Sequence, residues 1–153
     1  MSEVPPDDLP GRPTPDGVDD ATVGALGKLS EALETCEVAR GHLYAFHQLT
    51  GSADIALQGA VDALREAGHH TLADRIATEL VGRNVLAGRW TFQVVEDYDD
   101  HYWSLFRDLE RSARDELAGG ARHLYEARLK QAERSAGRAG HEAQPADAVE
   151  PAP

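Results

Sequence analysis

Hydrophobic residues recur every three or four positions through most of the chain, which is the interval of an amphipathic helix. The first half of the chain shows this most clearly, in three successive stripes. Their members are Leu26, Leu29, Leu33 and Cys36; then Leu57, Val61 and Leu64; then Leu72, Ile76 and Leu80. The pattern predicts an all-α protein.

Glycines and capping residues divide this pattern into about five helices. Asp19 or Asp20 caps the first helix, and Gly51–Ser52 marks a break before the second. Thr71 with Asp74 resembles a capping box that opens the third. The fragment WTFQVV alternates like a strand but has no second strand to pair with, so it is assigned to the fourth helix. The predicted helices span 19–50, 52–67, 71 to a point within 82–88, about 90–118, and 121–136.

The two ends of the chain differ in composition from this helical part. Residues 1–18 contain five prolines and several acids, and residues 138–153 are rich in Ala, Gly, Pro and acid. Such segments bury little apolar surface, so both are predicted to be disordered tails. The fold expected from the sequence is a helical bundle domain over 19–137, irregular and antiparallel, with disordered acidic termini.

Charge and cysteine content exclude several classes of protein. The formal net charge is −12, so the chain lacks the basic surface that binds nucleic acid. The single cysteine, Cys36, excludes an intramolecular disulfide framework and a cysteine metal cluster. We find no signal peptide and no apolar run that would span a membrane, so the expected location is the cytoplasm.

Aromatic residues are concentrated in one part of the chain. Six of the nine lie between Trp90 and Phe106. Aromatic side chains bury large surfaces, and Trp, Tyr and Arg are enriched where proteins contact each other. Trp90, Trp103 and Arg107 are therefore the candidate interface residues.

On a helix that begins at Val95, apolar and polar residues separate into two faces. Asp99 and His101 fit neither face and lie on the shoulders of the apolar one, which makes them candidates for a site. The predicted apolar stripe is Val95, Tyr98, Tyr102, Leu105, Phe106, Leu109 and Ala113.

Polar residues continue the apolar stripe of the first helix. The next positions on that face are Glu37, Arg40, Tyr44 and His47, while Val38, Phe46 and Leu49 make the other faces apolar. We expect Glu37 and Arg40 to be buried, and buried charges need partners of opposite sign. Arg83, Asp99 or Asp100 are the expected partners. The polar line is either an internal ion-pair network or a ligand site.

Motifs for metal or catalytic chemistry are incomplete. Glu66 and His69 have the Glu-x-x-His spacing of di-iron bundles, but the second such pair is missing. The histidines and the acids around Asp99 lack the spacing of a metal site. No nucleophile elbow or phosphate-binding loop is present. We therefore predict no metal, no cofactor and no catalytic residue.

Two classes of function remain. The first is a non-enzymatic helical interaction module that binds itself, as a homodimer, or another protein. The second is a ligand- or metal-binding bundle, a class that includes enzymes, with a buried polar site between the first and fourth helices. Its candidate residues are Glu37, Arg40, Tyr44, His47, Arg83, Asp99 and His101.

Overall fold

Regular structure in the computed structural model, which describes residues 14–145, is entirely helical, so the all-α prediction is confirmed. None of the described helices is long and apolar enough to cross a membrane. The elements in chain order are α1 (Asp20–Glu66), α2 (His70–Glu79), α3 (Thr91–Tyr98), a π-helical segment (Asp99–Trp103), α4 (Ser104–Ala118) and α5 (Leu124–Glu133). Because the π-helical segment joins α3 to α4 without a break, there are four continuous helices in the described range, fewer than the five expected.

Helix α1 begins where the sequence predicts but does not break after Thr50. The Thr22 amide donates to Asp19 Oδ1 at 2.7 Å, which confirms Asp19 as the N-cap. The predicted break is wrong because a glycine inside a helix costs only about 1 kcal/mol. Ser52 also does not act as a cap: its hydroxyl donates to the Gln48 carbonyl at 3.1 Å, one turn back in the same helix.

The predicted capping box at the start of α2 is replaced by other contacts. The helix begins at His70 without a side-chain cap, so Thr71 and Asp74 do not form the expected capping box. Asp74 instead accepts a hydrogen bond from Arg65 at 3.1 Å. Glu79 pairs with Arg75 at 3.2 Å, and Arg83 donates to the Glu79 carbonyl.

The π-helical segment explains why the predicted apolar face of α4 is only partly right. Phe106 is partly buried and Ala113 packs against the core of the terminal unit, but three other members of the predicted stripe are exposed. The Ser104 amide donates to the Asp99 carbonyl, five residues back, so this turn holds one residue more than an α-helical turn. One extra residue rotates the later part of the helix by about 100°. Tyr102, Leu105 and Leu109 are 54%, 56% and 60% exposed as a result. The residues that follow Tyr102 and Leu109 contact α1 instead. Trp103 bonds to Glu37, and Glu110 bonds to Ser30.

Backbone contacts divide the chain into two compact units, and both α1 and α4 contribute residues to each. The terminal unit comprises Met1–Leu33 and Asp108–Pro153, and the central unit comprises Glu34–Arg107.

The terminal unit has a small core where α1, α4 and α5 meet. Its buried residues are Val23, Leu26, Ala118 and Leu124, with Val18 packed against them. Gly27 permits a close approach of α1 to α5, since a Cβ added there would lie 3.1 Å from the Tyr125 Cβ. This close approach places α5 against the first turns of α1.

Helix α5 is shorter at both ends than the predicted 121–136. Gly119 and Gly120 have positive φ and end α4, as expected. The chain then passes through His123, which has the left-handed φ of 59°, so α5 cannot begin before Leu124. Residues next to the helices also pack in this unit: Arg128 donates to the Thr14 hydroxyl at 3.3 Å, and Ala143 is buried. The remaining tail residues lie outside the described range.

The central unit joins α1 to α3 and the π-helical segment by polar contacts around a small set of buried apolar residues. Its buried apolar residues are Cys36, Val61, Ala73 and Val95. Thr91, the first residue of α3, is also buried. Trp90 precedes it, and its amide donates to Gln93 Oε1 at 2.8 Å, which fixes the start of the helix.

Candidate functional site

The predicted polar line of α1 contacts the π-helical segment within the central unit. Arg40 Nε donates to Asp99 Oδ1 at 2.7 Å, and Arg40 Nη2 donates to Asp99 Oδ2 at 2.8 Å. This parallel, two-bond geometry is the strong form of an Arg–carboxylate pair. Of the three partners expected for Arg40, the structure shows Asp99.

Aromatic rings surround the guanidinium of this pair. The Arg40 Cζ lies 4.1 Å from the centroid of the Trp103 ring and 5.3 Å from that of Tyr44. Arg107 Cζ lies 4.5 Å from the Trp103 centroid. Cations at these distances are attracted to the negative face of the ring. The Trp103 indole Nε1 donates to Glu37 Oε1 at 2.8 Å. We call Glu37, Arg40, Tyr44, Asp99, Trp103 and Arg107 the Arg40 cluster.

The electrostatics of the cluster follow from the ion pair. Hydrogen bonds from Arg40 lower the pKa of Asp99, against the opposing effect of burial. The bond to Asp99 raises the pKa of Arg40. The side chains of Arg40 and Asp99 retain 25% and 22% exposure, so the pair is neither fully buried nor a surface pair. Glu37 is exposed, so the prediction that it is buried is wrong.

Two further polar contacts flank the cluster along α1. His47 Nδ1 and Thr91 Oγ1 are 2.7 Å apart, which ties α1 to the start of α3. Cys36 Sγ lies 3.4 Å from the Tyr98 hydroxyl. That hydrogen bond, together with burial, raises the pKa of Tyr98 to about 12. The cysteine is therefore a buried structural residue, as its spacing predicted.

The other two candidate residues lie elsewhere. His101 is exposed, and Arg83 is exposed in the loop after α2. Arg83 borders a groove of about 370 Å³ between α1 and that loop. The residues around the groove are Thr50, Gly51, Asp54, Ile55, Gln58, Arg83, Val85, Trp90 and Thr91.

Trp90 is about half exposed, and its indole Nε1 donates to the Gly82 carbonyl at 3.1 Å. Asp54 accepts a hydrogen bond from the Gly82 amide at 2.9 Å. These contacts from two sides fix the loop at Gly82.

One buried charge was missed by the sequence reasoning. Glu110, in the terminal unit, is 5% exposed and accepts hydrogen bonds from Arg114 Nε at 2.7 Å and Ser30 Oγ at 3.0 Å. Burial alone would raise the pKa of Glu110, but these two donors outweigh it and the pKa is lowered. The i,i+4 spacing of Glu110 and Arg114 was the signal available.

The arrangement of these groups is typical of structural ion pairs. Both oxygens of Asp99 and two nitrogens of Arg40 are used within the pair. Every buried side-chain nitrogen or oxygen in residues 14–145 has a hydrogen-bond partner. Buried polar groups satisfied in this way contribute to folding.

Comparison with known proteins adds no relative, since no protein-family model, curated protein or solved structure matches the chain.

Proposed function

We propose that the protein is a non-enzymatic helical interaction module that self-associates through its central unit. The observation that carries this proposal is the balance of apolar residues in that unit. Four apolar residues are buried, whereas twelve large ones are exposed. The exposed set is Val38, Tyr44, Phe46, Leu49, Ile55, Leu72, Leu80, Leu86, Trp90, Phe92, Tyr102 and Leu105.

So many exposed large apolar side chains favour a surface that is covered in the working protein. Single exposed apolar residues are ordinary, but contiguous apolar surface marks interaction sites. Each large side chain removed from water contributes roughly 1.5–3 kcal/mol. Association would supply the burial that the central unit lacks as a single chain.

Sedimentation velocity of the untagged protein over a wide concentration range tests this proposal. We expect a concentration-dependent shift from monomer to dimer or a larger assembly. Native mass measurement of the same sample gives the number of chains and any bound ligand. A monomer at every concentration would overturn the proposal.

The ligand-binding alternative is favoured by one observation, the groove beside Arg83. Its volume of about 370 Å³ falls at the lower end of the range for small-molecule sites. Arg83 would supply a cation, and the rings and aliphatic groups of Trp90 and Ile55 an apolar wall. Native mass measurement decides here too, because a retained ligand adds a defined mass that Arg83→Ala should remove.

A further inference from the structure

The outward face of α1 in the central unit is a stripe of positions that remain exposed among residues 14–145. Its positions alternate by four and three residues over 26 residues. All eight are exposed: Val38, His42, Ala45, Leu49, Ser52, Ala56, Gly59 and Ala63. Positions spaced in this way form a single stripe along a helix, and this stripe carries small or apolar side chains at every position except His42.

The opposite face of the same helix contacts the protein's own chain. Arg40 pairs with Asp99, His47 contacts Thr91, Asp54 accepts from the Gly82 amide, and Val61 is buried. These four α1 residues are seven apart, at the position directly opposite the outward stripe. The helix therefore has two separate faces here, and among residues 14–145 only the inward one has a partner.

Charge distribution indicates that the outward face is covered. Between Val38 and Val61, the only Asp, Glu, Lys or Arg residues are Arg40 and Asp54, and both contact their own chain on the inward face. Charged residues make up 27% of the whole chain. A solvated helix face normally carries charge, whereas the centres of protein interfaces are depleted in it.

Charged residues return on both sides of this stretch. Lys28, Glu31, Glu34 and Glu37 precede it, and Asp62, Arg65 and Glu66 come after it. An uncharged centre with a charged surround is the usual composition of an interface.

The order of large and small residues identifies the partner. In an antiparallel pair of α1 helices, with a two-fold axis between Thr50 and Gly51, each larger residue faces a small one. The opposed residues are Val38 with Ala63, His42 with Gly59, Ala45 with Ala56, and Leu49 with Ser52. The flanking Phe46 similarly lies near Ala53 of the other copy. A parallel pair would place Gly59 against Gly59 and leave a gap.

We infer that a second copy of this chain covers the outward face of α1, in an antiparallel α1–α1 contact centred between Thr50 and Gly51. Two-fold symmetry presents the same patch on both copies, as closed dimers require. The absence of charge avoids like-charge repulsion across the axis. Small side chains on one half of each helix allow the two helix axes to approach closely. The larger side chains of the other copy then occupy the space beside them. This inference rests on the proposed self-association and specifies its geometry.

Disulfide or short thiol cross-linking between mixed single-cysteine variants tests the geometry. The variants are Ala45→Cys and Ala56→Cys, each made in a Cys36→Ser background. The Cys36→Ser protein with no introduced cysteine must not cross-link. In the inferred dimer, residue 45 of one copy adjoins residue 56 of the other, whereas identical positions lie about 16 Å apart along the axis. We expect efficient cross-linking in the mixture and at least about tenfold less with either variant alone. A mixture of Ala45→Cys with Thr78→Cys, an exposed position on α2, is the control.

The possible outcomes separate this inference from the proposed self-association. Cross-linking of either variant with itself would overturn the antiparallel geometry. A dimer in sedimentation without the mixed cross-link would overturn the α1 contact but leave self-association standing. A protein that stays monomeric at all concentrations would overturn both.

Discussion

The two faces of α1 in the central unit show two different uses of one helix. The inward face carries Arg40 and Asp54, and each has a partner of its own chain within hydrogen-bond distance. The outward face carries no such charge, and its residues Val38 and Leu49 are 62% and 69% exposed. Polar contacts and the buried Val61 thus join the inward face to its own chain. In the proposed dimer, the second copy would cover the apolar outward face.

The largest expected effect comes from placing a charge on the outward face. Leu49→Glu would bury two unpaired carboxylates near the two-fold axis, so we expect the dimer dissociation constant to rise at least about 100-fold, or about 2.8 kcal/mol. Sedimentation measures this. Ala25→Glu, an exposed α1 residue in the terminal unit, is the matched control and should leave association unchanged. If Leu49→Glu associates as strongly as wild type, the outward face is not the surface through which the chains associate.

Substitution on the inward face should instead lower the stability of each chain. Arg40→Ala leaves Asp99 without its partner and removes a cation from the Trp103 ring. The pair is about one-quarter exposed, so we expect a loss of about 1–3 kcal/mol in the free energy of unfolding, between surface and buried values.

Urea unfolding at constant protein concentration measures the loss. Arg40→Lys should be destabilised by a smaller amount than Arg40→Ala, because lysine keeps the charge but cannot make the two parallel bonds. A change within about 0.5 kcal/mol for Arg40→Ala would mean that the pair contributes no more than a surface contact.

The same ion pair should make stability depend on pH in the acid range. The pKa of Asp99 is lowered in the folded protein, so its stabilising effect is complete above the ordinary value of 3.8. That effect is lost as the pH falls through the lower, folded pKa. We expect the difference in unfolding free energy between wild type and Asp99→Asn to shrink below about pH 4. Unfolding curves of both proteins from about pH 7 to about pH 3 test this; a difference independent of pH would contradict it.

The smallest expected effect concerns Tyr98, whose pKa is raised to about 12 by its hydrogen bond with Cys36 and by burial. A raised pKa stabilises the fold below the ordinary value of 10.0, and this contribution is lost as the pH rises toward 12. In an ultraviolet titration, Tyr98→Phe should remove the last phenol to ionise. Tyr125→Phe, which removes an exposed phenol, should leave that late step in place. If Tyr98→Phe still shows this late ionisation, the step belongs to another tyrosine and the prediction is wrong.

The sequence predicted the inward contact of α1 better than its length. Charges placed in line with an apolar stripe require a partner, and this was enough to propose Asp99 for Arg40. The break at Gly51 was wrong because a single glycine in a helix costs little compared with the contacts on both sides of it. Local signals such as Gly-Ser therefore define helix ends less reliably than burial does.

The buried Glu110 and the exposed Leu105 were mispredicted for one physical reason. Helical periodicity assumes a constant 100° per residue, and the π-helical turn at Asp99–Trp103 changes the phase by one residue. Nothing in the local composition marks where such a turn falls. The stripe was therefore predicted correctly up to Tyr98, and after the π-helical turn only its members Phe106 and Ala113 remain partly buried.

That single extra residue bears on how the helix tolerates a change of length. Deleting Asp100 would remove one residue and the π-helical turn together, so an unbroken α-helix would carry Trp103 and Phe106 on the side that they occupy now. Restoring α-helical geometry without a deletion would instead turn Tyr102 and Leu105 toward that side. The π-helical turn therefore accommodates one inserted residue within Asp99–Trp103 while α4 keeps its contacts with α1.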